Sequence, residues 1–193
     1  MLCSEELSKQ RFLDSQIEFA AMAHFFNRPM ARRIANIPDA KPRVALVENL
    51  WEEHGKGIME KVHGQTLLTL MDRLGGDSSK IDLQGPTPTA RIFNEALRSV
   101  SSFEDCRFAA SVFADISEPV CKAIVTQGWL KADQITHDSQ LKEMDIQHAD
   151  DFLQTVNTDW NTPSLQPLIR DGLRFGCQLF ANADWGFYSS MIR

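Results

Sequence analysis

The sequence predicts an all-α bundle of seven or eight helices within a single domain spanning residues 1–193. Three observations point there. Apolar residues recur at mixed three- and four-residue steps over most of the chain, which places them on one face of a helix. No stretch shows the strict alternation of a half-buried strand. Proline, glycine and capping residues fall at helix-length intervals.

The first helix is expected over residues 5–26, where Leu7, Phe12, Ile17, Ala20, Ala21 and His24 to Phe26 form the apolar face. Pro29 then ends it and opens a short helix running to Ile37. Asp39 and Pro42 occupy the cap and first turn of a third helix. There Val44, Val47, Leu50, Trp51, His54 and Ile58 follow one stripe, so His54 is expected to point inward. Another helix runs from about His63 to Leu74 and stops at Gly75-Gly76. The segment 76–88, punctuated by Gly85, Pro86 and Pro88, is long enough to be a lid or crossover. Further helices are expected near 88–100, 103–127, 137–157 and 164–190. Ser102 to Asp105 resembles a capping box, and Thr162-Pro163 a cap followed by a first-turn proline.

Composition narrows the function. At 193 residues the chain can bury a sizeable core without staples. Its 20 basic and 26 acidic residues, net −6, give no basic field for a phosphate backbone, which argues against nucleic acid as a partner. No apolar run is long enough for a membrane helix, and the first residues lack the order of a signal peptide, so a soluble cytoplasmic protein is expected. Cys3, Cys106, Cys121 and Cys177 are scattered and suggest neither a zinc site nor a disulfide framework.

The chemistry is concentrated in two clusters of acids and histidines. Glu52, Glu53 and His54 are followed by Glu60 and His63; much later Asp145 and His148, three residues apart, fall within the stripe Leu141, Met144, Ala149, Phe152 and Val156. A buried carboxylate costs several kcal/mol unless it is paired or ligated. Glu118 interrupts another apolar run, from Phe108 to Val125, and needs a partner for the same reason. Carboxylates and imidazoles converging from facing helices are the ligands of iron sites in helical bundles. They are equally the groups a metal-free enzyme uses to move protons. Geometry leaves the first carboxylate open: Glu60 lies three residues from His63, while Glu53 and Glu60 share a face seven residues apart. Glu18 on the first helix and the inward-pointing His54 are candidate substrate-binding residues, and Glu18 is also within the choice of additional ligands.

The segment Phe25-Phe-Asn-Arg-Pro-Met-Ala, then Val47-Glu-Asn-Leu-Trp-Glu-Glu-His-Gly, His63-Gly, Leu74-Gly, Glu118 and Asp145-x-x-His148-Ala together resemble the heme-oxygenase-like helical superfamily, over about residues 5–190. That superfamily includes TenA-type thiaminases, the cofactorless pyrroloquinoline-quinone synthase, and iron-containing oxidases and oxygenases. The iron branch is the most similar. The resemblance implies metal ligands at Glu53, His63, Glu118, Asp145 and His148, one or two iron ions, dioxygen and a small organic molecule as substrates, and a homodimer. The departure is Leu141, where the two-iron pattern places another histidine; His137, roughly 12 Å from Asp145 along a helix, is a poor substitute.

Three alternatives share the fold. A quinone-synthase-like protein would orient an electron-rich substrate with the same histidines and no metal. A TenA-like hydrolase would require a thiolate, with Cys106 and Cys121 as candidates by type. A non-catalytic protein would keep the fold as a binding scaffold, a reading that Leu141 favours. Among other conspicuous residues, Trp129, Trp160, Trp185, Phe187 and Tyr188 are expected in the core or an interface, and Arg28, Arg32 and Arg33 on a solvated helix face, with anion binding as the functional reading.

Overall fold

The computed structural model describes residues 8–83, 87–102, 128–129, 131, 148 and 150–192. Among these there are six α-helices and no strand: α1 (Lys9–Ala35), α2 (Ala40–Glu53), α3 (His63–Arg73), α4 (Pro88–Val100), α5 (Asn157–Trp160) and α6 (Gln166–Ile192). Residues 150–154 are also helical. The protein is all-α.

Local signals set most boundaries. Ser8 caps α1 by accepting from the Arg11 amide, and Asp39 caps α2 by accepting from the Lys41 amide. Thr87 and Pro88 open α4, and α3 stops where Gly75 takes a positive φ of 85°. The segment after α3 is anchored to it. Asp72 accepts from the Ser78 amide and hydroxyl at 2.8 and 2.7 Å, while Ile81 and Leu83 pack against the core.

The helix α1 is central, touching α2, α3, α4 and α6. Its buried face divides between two clusters. Towards its start, Phe12, Leu13 and Ala20 pack with Leu67, Leu70 and Met71 of α3 and with Leu74 just after it, and Trp129 lies against Phe12 with ring centroids 5.3 Å apart. Towards its end, Met22, Met30 and Ile34 meet Leu46, Phe93, Leu97, Phe152 and Leu179.

The structure corrects four expectations. First, Pro29 does not end α1: the helix runs through it to Ala35. Proline removes one N–H bond, but Pro29 and its neighbour Met30 are buried, and packing on both sides of α1 outweighs the local loss. Second, Arg33 is not on a solvated face; its side chain is fully buried, whereas Arg28 and Arg32 are exposed. Third, α6 starts at Gln166, and Thr162-Pro163 lies in the preceding turn, where the Thr162 carbonyl accepts from the amides of Leu165 and Gln166.

The fourth concerns α2, which turns the other face inward. Val44, Val47 and Trp51 of the apolar stripe are 71%, 52% and 54% exposed, and the buried residues are Leu46, Asn49 and Glu53. Hydrophobic periodicity assumes that polar side chains inside are too costly. Here that cost is offset because the polar groups of this face find partners. The expected helix at 103–127 and the Ser102 to Asp105 cap fall, wholly or beyond Ser102, outside the described residues.

Candidate metal centre

The sequence after α2 determines where its carboxylates can reach. The helix ends at Glu53, and the chain then makes two short 3-10 turns, Gly55–Gly57 and Met59–Lys61. Gly55 has φ +64°, a conformation that favours glycine. It also has no room for a side chain: a Cβ there would lie 2.5 Å from the Lys61 carbonyl carbon and 2.6 Å from the Val62 nitrogen. This folding-back starts α3 at His63 and brings that imidazole against the end of α2. His63 Nδ1 lies 2.7 Å from Glu53 Oε2, and both side chains are largely buried.

A second pair forms beside it. Glu52 Oε2 lies 2.9 Å from His148 Nε2, and its other oxygen lies 2.7 Å from the Lys56 ammonium. One helical turn earlier Asn49, with its amide nitrogen facing Asp151, donates to Asp151 Oδ2 at 3.1 Å and to the Ala45 carbonyl at 3.3 Å. Glu52 pairs with His148 and Asn49 with Asp151, so the two strips run antiparallel, with a three-residue step on each. Consecutive residues on a helix point about 100° apart, so Glu52 and Glu53 serve different partners.

The electrostatics follow from these contacts. Burial alone would raise the Glu52 pKa; the hydrogen bonds from His148 and Lys56, with their charges, more than offset it and hold the carboxyl below its ordinary 4.5. A depressed folded-state pKa contributes stability that is present above the unfolded value and is lost as pH falls through the folded one. In metal-free protein, Glu52→Gln is therefore expected to lower Tm by roughly 2–8 °C near neutrality, for about 1–2 kcal/mol of charged hydrogen bonding. Melting curves taken down to pH 3 should show the gap closing as Glu52 itself protonates. A gap that stays constant across that range would show that the charge contributes nothing.

The predicted site residues are placed as follows. Glu53 and His63 are together, while Glu60 is exposed on the second 3-10 turn. His148 is buried and faces Glu52. His54 does not point inward: it is exposed at the end of α2, where its Nδ1 donates to the Leu50 carbonyl at 2.7 Å, beside the bond that carbonyl already accepts from the His54 amide. Glu18 is half-buried on α1 with its Oε2 shut off from solvent. Glu118 and Asp145 lie outside the described residues, as do Leu141, His137, Cys106 and Cys121.

Two partners were missed by sequence reasoning. Glu52 was passed over as a site residue in favour of its neighbour, and Asp151, a buried carboxylate three residues beyond His148, was not considered. The spacing His148-x-x-Asp151 was a readable signal, equivalent to the Asp145-x-x-His148 spacing on its other side.

Comparison with known families gives this geometry a context. A family model described as iron-containing redox enzyme matches residues 15–114, just over half of the chain. The chain belongs to this family of iron-containing redox enzymes. The match supports the heme-oxygenase-like resemblance and covers the stretch from α1 to beyond α4, including Glu52, Glu53 and His63. No curated protein matches the chain.

The donors can be tested against the metal that the family description implies. A buried carboxylate against a buried imidazole is the oxygen and nitrogen chemistry that iron takes. A carboxylate hydrogen-bonded to a metal-binding histidine also fixes the orientation of its ring. Glu53 and His63 therefore fit iron in kind. Among the described residues, no three His, Cys, Asp or Glu side chains form a group that would hold a metal ion by themselves. The described chain thus provides one two-donor arm, with the Glu52–His148 pair beside it.

Proposed function

We propose that this iron-containing redox enzyme oxidises a small organic molecule with dioxygen at a non-heme iron site. The observation that carries the reading is the buried Glu53–His63 pair, held by the Gly55 turn inside the segment that matches the family. In this proposal Glu53 and His63 hold iron together with Glu118, Asp145 and His148. Glu52 and Lys56 fix the position of the His148 imidazole through a charged hydrogen-bond chain. Iron bound there would supply electrons to dioxygen and leave open positions for dioxygen and substrate. Glu53 sits at the end of α2 on the buried face, so the protein withholds water from one side of the pair. Glu18 remains a candidate substrate contact; the exposed ring of His54 is occupied with the helix end.

The experiment is to load metal-free protein anaerobically with Fe(II), expose it to air, and follow dioxygen uptake and iron oxidation together. Uptake that requires iron and exceeds that of free Fe(II) is the expected result. Dioxygen consumption by metal-free protein with an electron-rich substrate would replace this reading with the cofactorless one. Oxygen-independent release of a thiamin pyrimidine would replace it with the hydrolase.

A further inference from the structure

On the side of α1 facing α4 there is a cavity of about 170 Å³. From α1 it is lined by His24, Phe25 and Arg28, and from α4 by Arg91, Asn94, Glu95 and Arg98. The α4 residues recur at three- and four-residue steps, which puts them on one helix face. Three arginines and one glutamate thus line it, in a protein whose net charge is −6. That carboxylate, Glu95, lies 3.3 Å from Arg98, whose guanidinium also stacks 5.2 Å from the centre of the Phe25 ring. Among the described residues no acidic group pairs with Arg28 or Arg91. Like charges gathered this way repel one another unless an anion joins them.

A second observation is independent of charge. Asn94 is more than nine-tenths buried, lines the cavity, and its Oδ1 has no hydrogen-bond donor. A buried amide oxygen is rarely left without a donor, so an unpaired one on a residue that lines a cavity marks the place of a missing donor. The cavity therefore asks for two things at once, a negative charge for the arginines and an O–H or N–H for Asn94. Its volume is below the roughly 300 Å³ at which pockets for drug-sized ligands begin, which restricts the ligand to a few heavy atoms.

We propose that this cavity binds a small organic acid bearing a hydroxyl or amino group beside its carboxylate, with Arg28 and Arg91 on the carboxylate and Asn94 on the donor. Guanidinium groups hold carboxylates through paired N–H bonds, which fixes direction as well as charge. His24 forms the wall shared with α3: a Cβ added to Gly64 would lie 3.2 Å from His24 Cα and 3.3 Å from its Nδ1. His24 thus packs against the residue that follows His63. Burial first, and then the Arg28 charge, lowers the His24 pKa below 6.5, so the imidazole stays neutral near pH 7 and leaves the arginines as the cationic groups.

The proposal does not depend on iron, and its test uses the full chain after EDTA treatment. Glycolate, acetate and inorganic phosphate are titrated in turn by calorimetry at constant ionic strength. Saturable glycolate binding is expected, stronger than acetate, and weakened at least about tenfold by the paired change Arg28→Gln with Arg91→Gln. Both residues are exposed, so the variant should fold; its melting curve checks this, and Arg32→Gln, elsewhere on α1, should bind as the wild type does. No saturable glycolate binding, or binding that the paired change leaves intact, overturns the proposal. Acetate binding as tightly as glycolate overturns the role of Asn94, and phosphate binding more tightly than either overturns the organic acid.

Discussion

Replacing Gly55 with alanine should lower Tm by roughly 10 °C, from a loss of about 3–5 kcal/mol. Two costs add. An L-residue with φ near +64° costs about 1–2 kcal/mol over glycine. The new methyl would also meet backbone, not a flexible side chain, at 2.5 to 2.8 Å from Lys61 and Val62. Relief requires moving the second 3-10 turn, and that turn carries His63 to Glu53. Iron binding should therefore fall with stability in this variant. Gly75→Ala separates the two costs. Gly75 has φ +85°, but a Cβ there meets nothing closer than the Lys9 Nζ at 3.9 Å, so only the conformational penalty applies. Thermal unfolding followed by circular dichroism should show a clearly larger loss for Gly55→Ala. Equal losses would mean that the close approach at Gly55 is not sustained in solution.

The second large effect is expected at the pair itself. In metal-free protein His63→Ala leaves the Glu53 carboxylate buried without the imidazole 2.7 Å away, at a cost of about 3–5 kcal/mol. Adding Glu53→Gln removes the stranded charge, so the double variant should be more stable than His63→Ala alone. A double-mutant cycle by denaturant unfolding measures this, and additive losses would show that the two side chains do not interact. For iron, either change should weaken binding by at least about tenfold, the loss expected when a metal-binding histidine or the carboxylate that orients it is removed.

The sequence and the structure agree where the determinants are local. The cap at Asp39, the stop at Gly75 after α3 and the helix start near residue 88 rest on signals within a few residues, and the structure places those helix ends accordingly. What could not be read depends on distant partners. The buried face of α2 is polar at Asn49 and Glu53, because Asp151 and His63, far along the chain or beyond a turn, satisfy it. The apolar stripe of Val44, Val47 and Trp51 gave the opposite direction and with it the wrong orientation for His54. Pro29 misled for a related reason, since its effect on a helix is local and the packing that overrides it is not. The candidate site was legible as a set of residue types and only partly as a set of pairs. Glu53 and Glu60 could not be separated by spacing while Gly55 and the 3-10 turns were unseen, and Glu52 was hidden beside a better-known neighbour.

The most direct test is the iron content of EDTA-treated protein after anaerobic Fe(II) loading and removal of unbound metal. The wild type should retain about one iron per chain or more, as should Glu60→Ala, which alters only an exposed carboxylate. The Glu53→Gln, His63→Ala double variant, folded by its melting curve, should retain less than about a tenth as much. A wild type that retains no iron, or a double variant that loads like the wild type, would contradict the assignment of this pair to a metal centre.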